Sequence, residues 1–393
     1  MAGPLVGIKI LDFTRYQQGP SATVMLAELG AEVLKVEPPG GDPGRMLSQF
    51  ADGFSSYFEV LNRGKKSLVV DLRQPGGTAV IYRLVRQVDV VAENFRPGVM
   101  DRLGVGYDAL SALNPCLIFA SASMFGPRGP RATHPGYDQI AQAAGGMVMA
   151  TRRSDDDLGT PLGGTADQVG GMMLAYAILA ALVHRERTGE GQKVDVSLFG
   201  SQLSLQMISA AQALYQQAQL PPQPASSRIS GDMRCSDGRW IAFGHLNTPQ
   251  WVDVLRAFGL DNLVTDPRFQ TAEVRGSHMP QLRSLIQERA ATQPTDYWLQ
   301  RLVEADIPCT LVQDYAMLAQ DPQALENSYI YSYEHPKFGI LKAVGAVASF
   351  SQTGSVLQGP APLEPGQHTQ AILADAGFTP EEIAHLRAQK VVS

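Results

Sequence analysis

A chain of 393 residues with 44% hydrophobic and 18% charged positions can bury a sizeable core, and its length suits two globular units better than one. Its net charge of −6 argues against a nucleic-acid binder or a protein held on an anionic membrane, although local basic clusters can still hold phosphates. Three scattered cysteines, Cys116, Cys235 and Cys309, show no CxxC spacing, so neither a disulfide framework nor a metal site is expected and a reducing compartment fits.

The N-terminus MAGPLVGIKILDF lacks the basic start and long apolar core of a secretory signal. Residues 7 to 37 predict strand, turn, helix and strand: GIKILDF, a Gly19-Pro20 break, the helix SATVMLAELG ending on Gly30, and AEVLKVE. That is a βαβ unit of the usual length, roughly 30 residues. The alternation continues with SLVVDL, GGTAVIYRLVRQ, VDVVAENF and LIFASASMFG, which predicts an α/β unit on a mostly parallel sheet. Val169 to Val183 is an apolar run shorter than the roughly 20 residues of a membrane span, so it reads as a buried helix and the protein as soluble and cytoplasmic. Pro- and Ser-rich AQLPPQPASSR (218–228) reads as a linker. A second unit follows, with a hairpin around Asp237-Gly238 and helices near 248–260, 280–292 and 295–305. Thr379-Pro380 opens a last short helix.

The stretch GGTADQVGG places one carboxylate, Asp167, between two glycine pairs at the mouth of the apolar helix. Thr165 and Gln168 fit a capping box, which would put Asp167 in the first turn, where the helix dipole favours an ionised carboxylate. Gly163, Gly164, Gly170 and Gly171 would leave room for a ligand and for N–H groups facing an oxyanion. By itself the pattern is more often a helix cap than a nucleophile. Elsewhere there is no GxSxG, HExxH or phosphate-binding P-loop, and the first βα turn, Tyr16-Gln17-Gln18-Gly19-Pro20, lacks the GxGxxG of a nicotinamide site despite Glu37 at the end of the second strand. Lys and Arg cluster in LNRGKKSLVVDLRQPGG and ENFRPGVMDRLG, as a polyanionic, phosphorylated ligand would require.

Eight blocks in order, GIKILDFTRYQQGP, LGAEVLKVEPP, NRGKKSLVVDL, AENFRPGVMDRLG, HPGYDQIAQAAGG, TADQVGGMMLAYAILAAL, RTGEGQKVDVSL and DIPCTLV, closely resemble the class III coenzyme A transferases, the family of formyl-CoA transferase. The resemblance implies that Asp167 is the nucleophile and Gln17 its neighbour at the acyl group. It also implies that Arg73, Asn94, Phe95 and Arg102 meet the coenzyme, with Tyr137 close by. It implies a Rossmann-like large domain built from both chain ends (1–205 and 340–393), a small α+β domain (229–325), linkers at 206–228 and 326–339, and an interlinked homodimer. The implied substrates are an acyl-CoA and a small carboxylic acid, with succinyl-CoA the expected donor and no tightly bound cofactor.

Two departures are visible. Pro38-Pro39 stands where some relatives carry a basic residue against the coenzyme's phosphates, and the glycine-rich loop covering the site in formyl-CoA transferase has no counterpart. The segment at Gly244-His245 is the candidate replacement, and formate and oxalate are not the preferred substrates. The rival reading is an α-methylacyl-CoA racemase, but the histidine base of that family falls at Tyr137, a poor proton carrier at neutral pH with an ordinary pKa of about 10.

Overall fold

A computed structural model describes residues 2–50, 52–151, 158, 162–216, 230–244, 250–356 and 358–393. The chain forms two compact units, one from Met1–Ala211 with Pro322–Ser393, the other from Gln212–Asp321.

The first βαβ unit forms as the apolar pattern predicts, from β1 (Lys9–Asp12), α1 (Gln18–Glu28) and β2 (Glu32–Glu37). Helix α1 begins earlier than the Gly19-Pro20 break suggests, because a proline in the first turn gives up an N–H that has no intrahelical partner anyway. Gly30, at φ +100°, turns the chain from helix to strand in a conformation that costs other residues dearly. The chain continues through α2 (Ser56–Asn62), β3 (Lys66–Val69), α3 (Gly77–Val85), β4 (Val90–Glu93), α4 (Val99–Arg102), α5 (Tyr107–Ser111) and β5 (Ile118–Ser123). It then adds α6 (Asp138–Ala144), α7 (Met147–Ala150), α8 (Thr165–Thr188), β6 (Lys193–Ser197), α9 (Leu198–Leu205) and α10 (Met207–Gln216).

The six strands pair in the order β3-β2-β1-β4-β5-β6, every pair parallel. Alternate residues feed opposite faces, and both faces are covered. Ile10, Val33, Val90 and Ile118 meet α1 and α8 on one side, while Leu11, Val36, Leu68 and Val91 meet α3 on the other. By length and composition α8 could cross a membrane, yet Leu174, Ile178 and Leu182 lie buried against the sheet and make it a core helix.

In the second unit β7 (Ser230–Arg234) and β8 (Trp240–Gly244) form the expected hairpin over Asp237-Gly238, and β9 (Cys309–Leu311) adds an antiparallel third strand. Helices α11 (Gln250–Ala257), α12 (Ala272–Ser277), α13 (Met279–Ala290) and α14 (Thr295–Glu304) enclose a core around Trp251, Phe258 and Trp298. After α15 (Tyr315–Leu318), the chain rejoins the large unit through α16 (Pro322–Glu326), β10 (Ile330–His335), β11 (Gly339–Val344), α17 (Thr369–Asp375) and α18 (Pro380–Ala388).

Both linker segments differ from the sequence expectation. The first, 206–228, opens as helix α10, and its remainder from 217 lies outside the described residues. Residues 326–339 contain β10, which pairs with β11 and is anchored where the Tyr333 hydroxyl donates to Glu59 at 2.5 Å. Alternating apolar residues made it a strand; the partner that holds it lies 274 positions away.

Candidate active site

The strand order reverses direction between β1 and β4, and ligands of open α/β sheets bind beyond the carboxyl ends of the strands at such a point. The loop after β1 carries Arg15, Tyr16 and Gln17; the loop after β4 carries Asn94 and Phe95. Asn94 ties the two together, its Oδ1 accepting from the Arg15 N–H and its Nδ2 donating to the Arg15 carbonyl, each at 2.8 Å. Tyr16 sits at φ +61°, a left-handed conformation that persists in a non-glycine residue only where its surroundings enforce it. Beneath the loop, the buried Lys35 ammonium donates to the Thr14 carbonyl at 2.9 Å and pairs with Asp42 at 2.7 Å. Asp12 accepts from the Thr14 N–H and hydroxyl and pairs with buried Lys65. Burial alone would raise the Asp12 carboxyl, but Lys65, Lys35 and the two threonine hydroxyls hold it at about 2.

Two cavities open on this crevice. One, of about 630 Å³, is lined by Gln17, Asn94, Phe95, Tyr137 and Asp167 together with Tyr16, Arg96, His134 and Leu198. The other, of about 300 Å³, is lined by Arg15, Pro38, Arg73 and Phe95. Phe95 is common to both. Six of the seven residues singled out from the sequence therefore come together. Arg102 is exposed at the end of α4 and lines neither cavity.

Asp167 lies in the first turn of α8, half-buried, and its carboxylate accepts no hydrogen bond among the described residues. The capping box expected from Thr165 and Gln168 does not form. The cap is Gly164, at φ +81°, and the Thr165 hydroxyl donates to the Leu162 carbonyl instead. Buried Asp138 takes over the cap from another helix: its carboxylate accepts from the N–H groups of Gly164 (2.9 Å), Ala166 (2.7 Å) and Asp167 (3.2 Å), and from the Gln142 amide (2.6 Å). The positive helix end is thus already occupied by one anion. Burial first, and the charge of Asp138 second, push the Asp167 carboxyl up to about 7, the opposite direction from the one the dipole favours.

Gln17 Nε2 donates to the Gly164 carbonyl at 3.3 Å, holding its amide at the same helix end. Tyr57 is a neighbour that sequence reading missed: burial raises its hydroxyl, helped by Asp167, Asp42, Tyr16 and Asp138. The glycines divide by role. A Cβ on Gly163 would meet open space, but on Gly171 it would sit 2.7 Å from Ser21 Cβ and 2.8 Å from the Gln18 carbonyl oxygen. Gly170 and Gly171 serve the close approach of α8 to α1, not a ligand.

The model of CoA-transferase family III matches residues 5–369 of this chain. The chain belongs to CoA-transferase family III. The transferase is 34% identical to an acyl-CoA transferase of Fusarium pseudograminearum (strain CS3096), over 99% of this chain and 88% of that one. It is 37% identical to the acetyl-CoA:oxalate CoA-transferase of Acetobacter aceti (84% and 86%) and 32% identical to the formyl-CoA:oxalate CoA-transferase of Escherichia coli O157:H7 (strain EC4115 / EHEC) over both full lengths. Among solved structures, a CaiB/BaiF family protein from Brucella suis superposes with a TM-score of 0.84 at 30% identity, covering 96% of this chain and 100% of that one. Rv3272 from M. tuberculosis superposes with a TM-score of 0.82 at 31% identity (94% and 99%).

The transferase is therefore an enzyme that moves coenzyme A between an acyl-CoA and a carboxylate. Glu37, where a nicotinamide enzyme would keep a ribose-binding acid, is consumed by Arg45 (2.7 Å), the Ser67 hydroxyl and the Asp42 N–H. Arg73 is held on Asp71 at 2.9 Å. At the end of β4, burial pushes the Glu93 carboxyl up to about 7, and it accepts from the Phe95 N–H at 2.7 Å. His245, in the expected covering segment, lies outside the described residues.

Proposed function

We propose that this cytoplasmic transferase takes coenzyme A from succinyl-CoA to a small carboxylic or dicarboxylic acid, with Asp167 as the nucleophile. The observation that carries the reading is Asp167 itself: a half-buried carboxylate that accepts no hydrogen bond among the described residues and lines a cavity of about 630 Å³ with Gln17, at the switch point of the sheet.

An Asp167 oxygen attacks the thioester carbonyl; the C–S bond breaks, leaving a mixed anhydride and CoA thiolate. The thiolate attacks the aspartyl carbonyl and the donor leaves as a free carboxylate, so that coenzyme A is now held as an aspartyl thioester. The acceptor carboxylate attacks that thioester, forming the second anhydride and again releasing thiolate. Attack of the thiolate on the acceptor carbonyl then releases the new acyl-CoA and restores Asp167. Each step exchanges one activated acyl for another, so the demands on the protein are to exclude water and to hold the thiolate in place. Tyr16, Phe95, Met124, Tyr137 and Leu198 supply walls suited to the first demand. Gln17, anchored at the Gly164 carbonyl, has a second amide hydrogen to offer the developing oxyanion.

Oxalate, set aside on the sequence, returns as the first acceptor to try, because two relatives carry it in their names. An interlinked homodimer is supported by apolar side chains left exposed on α8 (Met172, Tyr176, Val183) and on α10 (Ile208, Leu214, Tyr215). Light scattering after gel filtration should give twice the mass of one chain. The activity is tested by incubating the enzyme in D2O with succinyl-CoA, acetyl-CoA and a pool of carboxylates that includes oxalate. New thioesters without α-deuterium support transfer and name the acceptor. Deuterium uptake without a new thioester would establish the racemase reading instead.

A further inference from the structure

Most cations near the crevice are already satisfied. Lys35 is paired with Asp42, Lys65 with Asp12, Arg45 with Glu37 and Arg73 with Asp71. Arg15 is different. Its guanidinium lies over the Phe95 ring, 4.8 Å from the centroid, and makes no hydrogen bond or ion pair among the described residues, while its Nε is buried without a partner. Leaving a guanidinium partly desolvated and unpaired costs free energy, and it loses its proton under no ordinary condition, so the site is poised for an anion.

Position narrows the anion. Arg15 lines the smaller cavity with Arg73 and Pro38, and the ring beneath it is the one side chain common to both cavities. Coenzyme A carries its diphosphate in mid-molecule, between the adenosine and the pantetheine arm that ends in the thiol. With the thiol at Asp167 and the nucleotide in the smaller cavity, the diphosphate crosses the wall that Arg15 and Phe95 form. We propose that Arg15 binds the coenzyme A diphosphate, supplying the charge that Pro38 does not. The planar fork suits bidentate contact with phosphate oxygens, and the two Asn94 hydrogen bonds fix the backbone from which it projects. This assignment rests on the transferase reading above.

The test is calorimetric titration of the purified enzyme with coenzyme A and with dephospho-CoA, which keeps the diphosphate but lacks the 3′-phosphate. Arg15→Ala should weaken both by about 10- to 100-fold, the range for losing hydrogen bonds to a charged group. Arg15→Lys should recover part of the loss. The melting temperature of Arg15→Ala should stay close to that of the wild type, because the ring contact with Phe95 is lost but no hydrogen bond or ion pair among the described residues is. Unchanged affinity for both ligands would overturn the assignment. A loss confined to coenzyme A would also overturn it, moving Arg15 to the 3′-phosphate. A melting temperature lowered well beyond what the Phe95 contact explains, together with the affinity loss, would make Arg15 structural. If the wild-type enzyme itself failed to bind either ligand, the coenzyme reading would fall, and this assignment with it.

Discussion

At Asp167 two effects oppose each other, and the structure decides between them. A first-turn position should favour the ionised carboxylate, by typically 0.3–1 kcal/mol at exposed sites. Here the helix end is neutralised by Asp138, and burial beside that second carboxylate dominates. Asp167→Ala should cut transfer by on the order of 10⁴-fold or more while circular dichroism stays native, since loss of a covalent nucleophile is rarely rescued. If Asp167 is the nucleophile proposed above, it must be ionised to attack, and kcat/KM should rise with pH through a midpoint near 7. Asp138→Asn should move that midpoint downward by removing the like charge; an unmoved midpoint would leave burial as the whole cause. The linkage has a definite sign. A carboxyl whose pKa is raised by folding contributes stability below its unfolded value near 3.8, and that contribution is lost as pH rises through about 7. Asp167→Asn should therefore raise the melting temperature, and by more at pH 8 than at pH 5.

Helix α8 positions the carboxylate only because it can approach α1 closely. Gly170 and Gly171 leave that space, and Gln17 and Asp167 line one cavity at the helix end. Gly171→Ala would force its Cβ against Ser21 and the Gln18 carbonyl, with an expected loss of about 1–3 kcal/mol in chemical denaturation and a fall in kcat as the two residues part. The loop after β1 depends in the same way on charges hidden beneath it. Asp12→Asn would leave Lys65 buried without its ion-pair partner, at about 3–5 kcal/mol, measurable as a lowered urea midpoint.

Across the whole molecule the two ends of the chain meet in one unit. Val391 and Val392 are buried in the core of the large sheet, the Asp71 N–H donates to the Val391 carbonyl, and Val392 pairs with Val70. Truncation after Gln389 should cost about 1.5–3 kcal/mol for each valine removed, seen as a lower melting temperature. That closure brackets the second unit, Gln212–Asp321, as an insertion between the parts of the first.

Periodicity in the sequence was enough to determine the α/β class, the first βαβ unit and the Asp237-Gly238 hairpin, because strand and helix patterns are local properties of the chain. The ordered blocks, read together, determined the family. Local pattern also suggested the cap at Thr165, and there it failed, and it missed the upward push on the Asp167 carboxyl, because the groups that decide both are remote. Asp138 reaches 26 to 29 residues ahead to cap α8, and Tyr333 reaches Glu59 across 274 positions. Only the tertiary structure could show that Arg15 lines the smaller cavity over Phe95 with no hydrogen bond or ion pair among the described residues, since neither the desolvation of a charge nor the place of its partners is written in neighbouring residues.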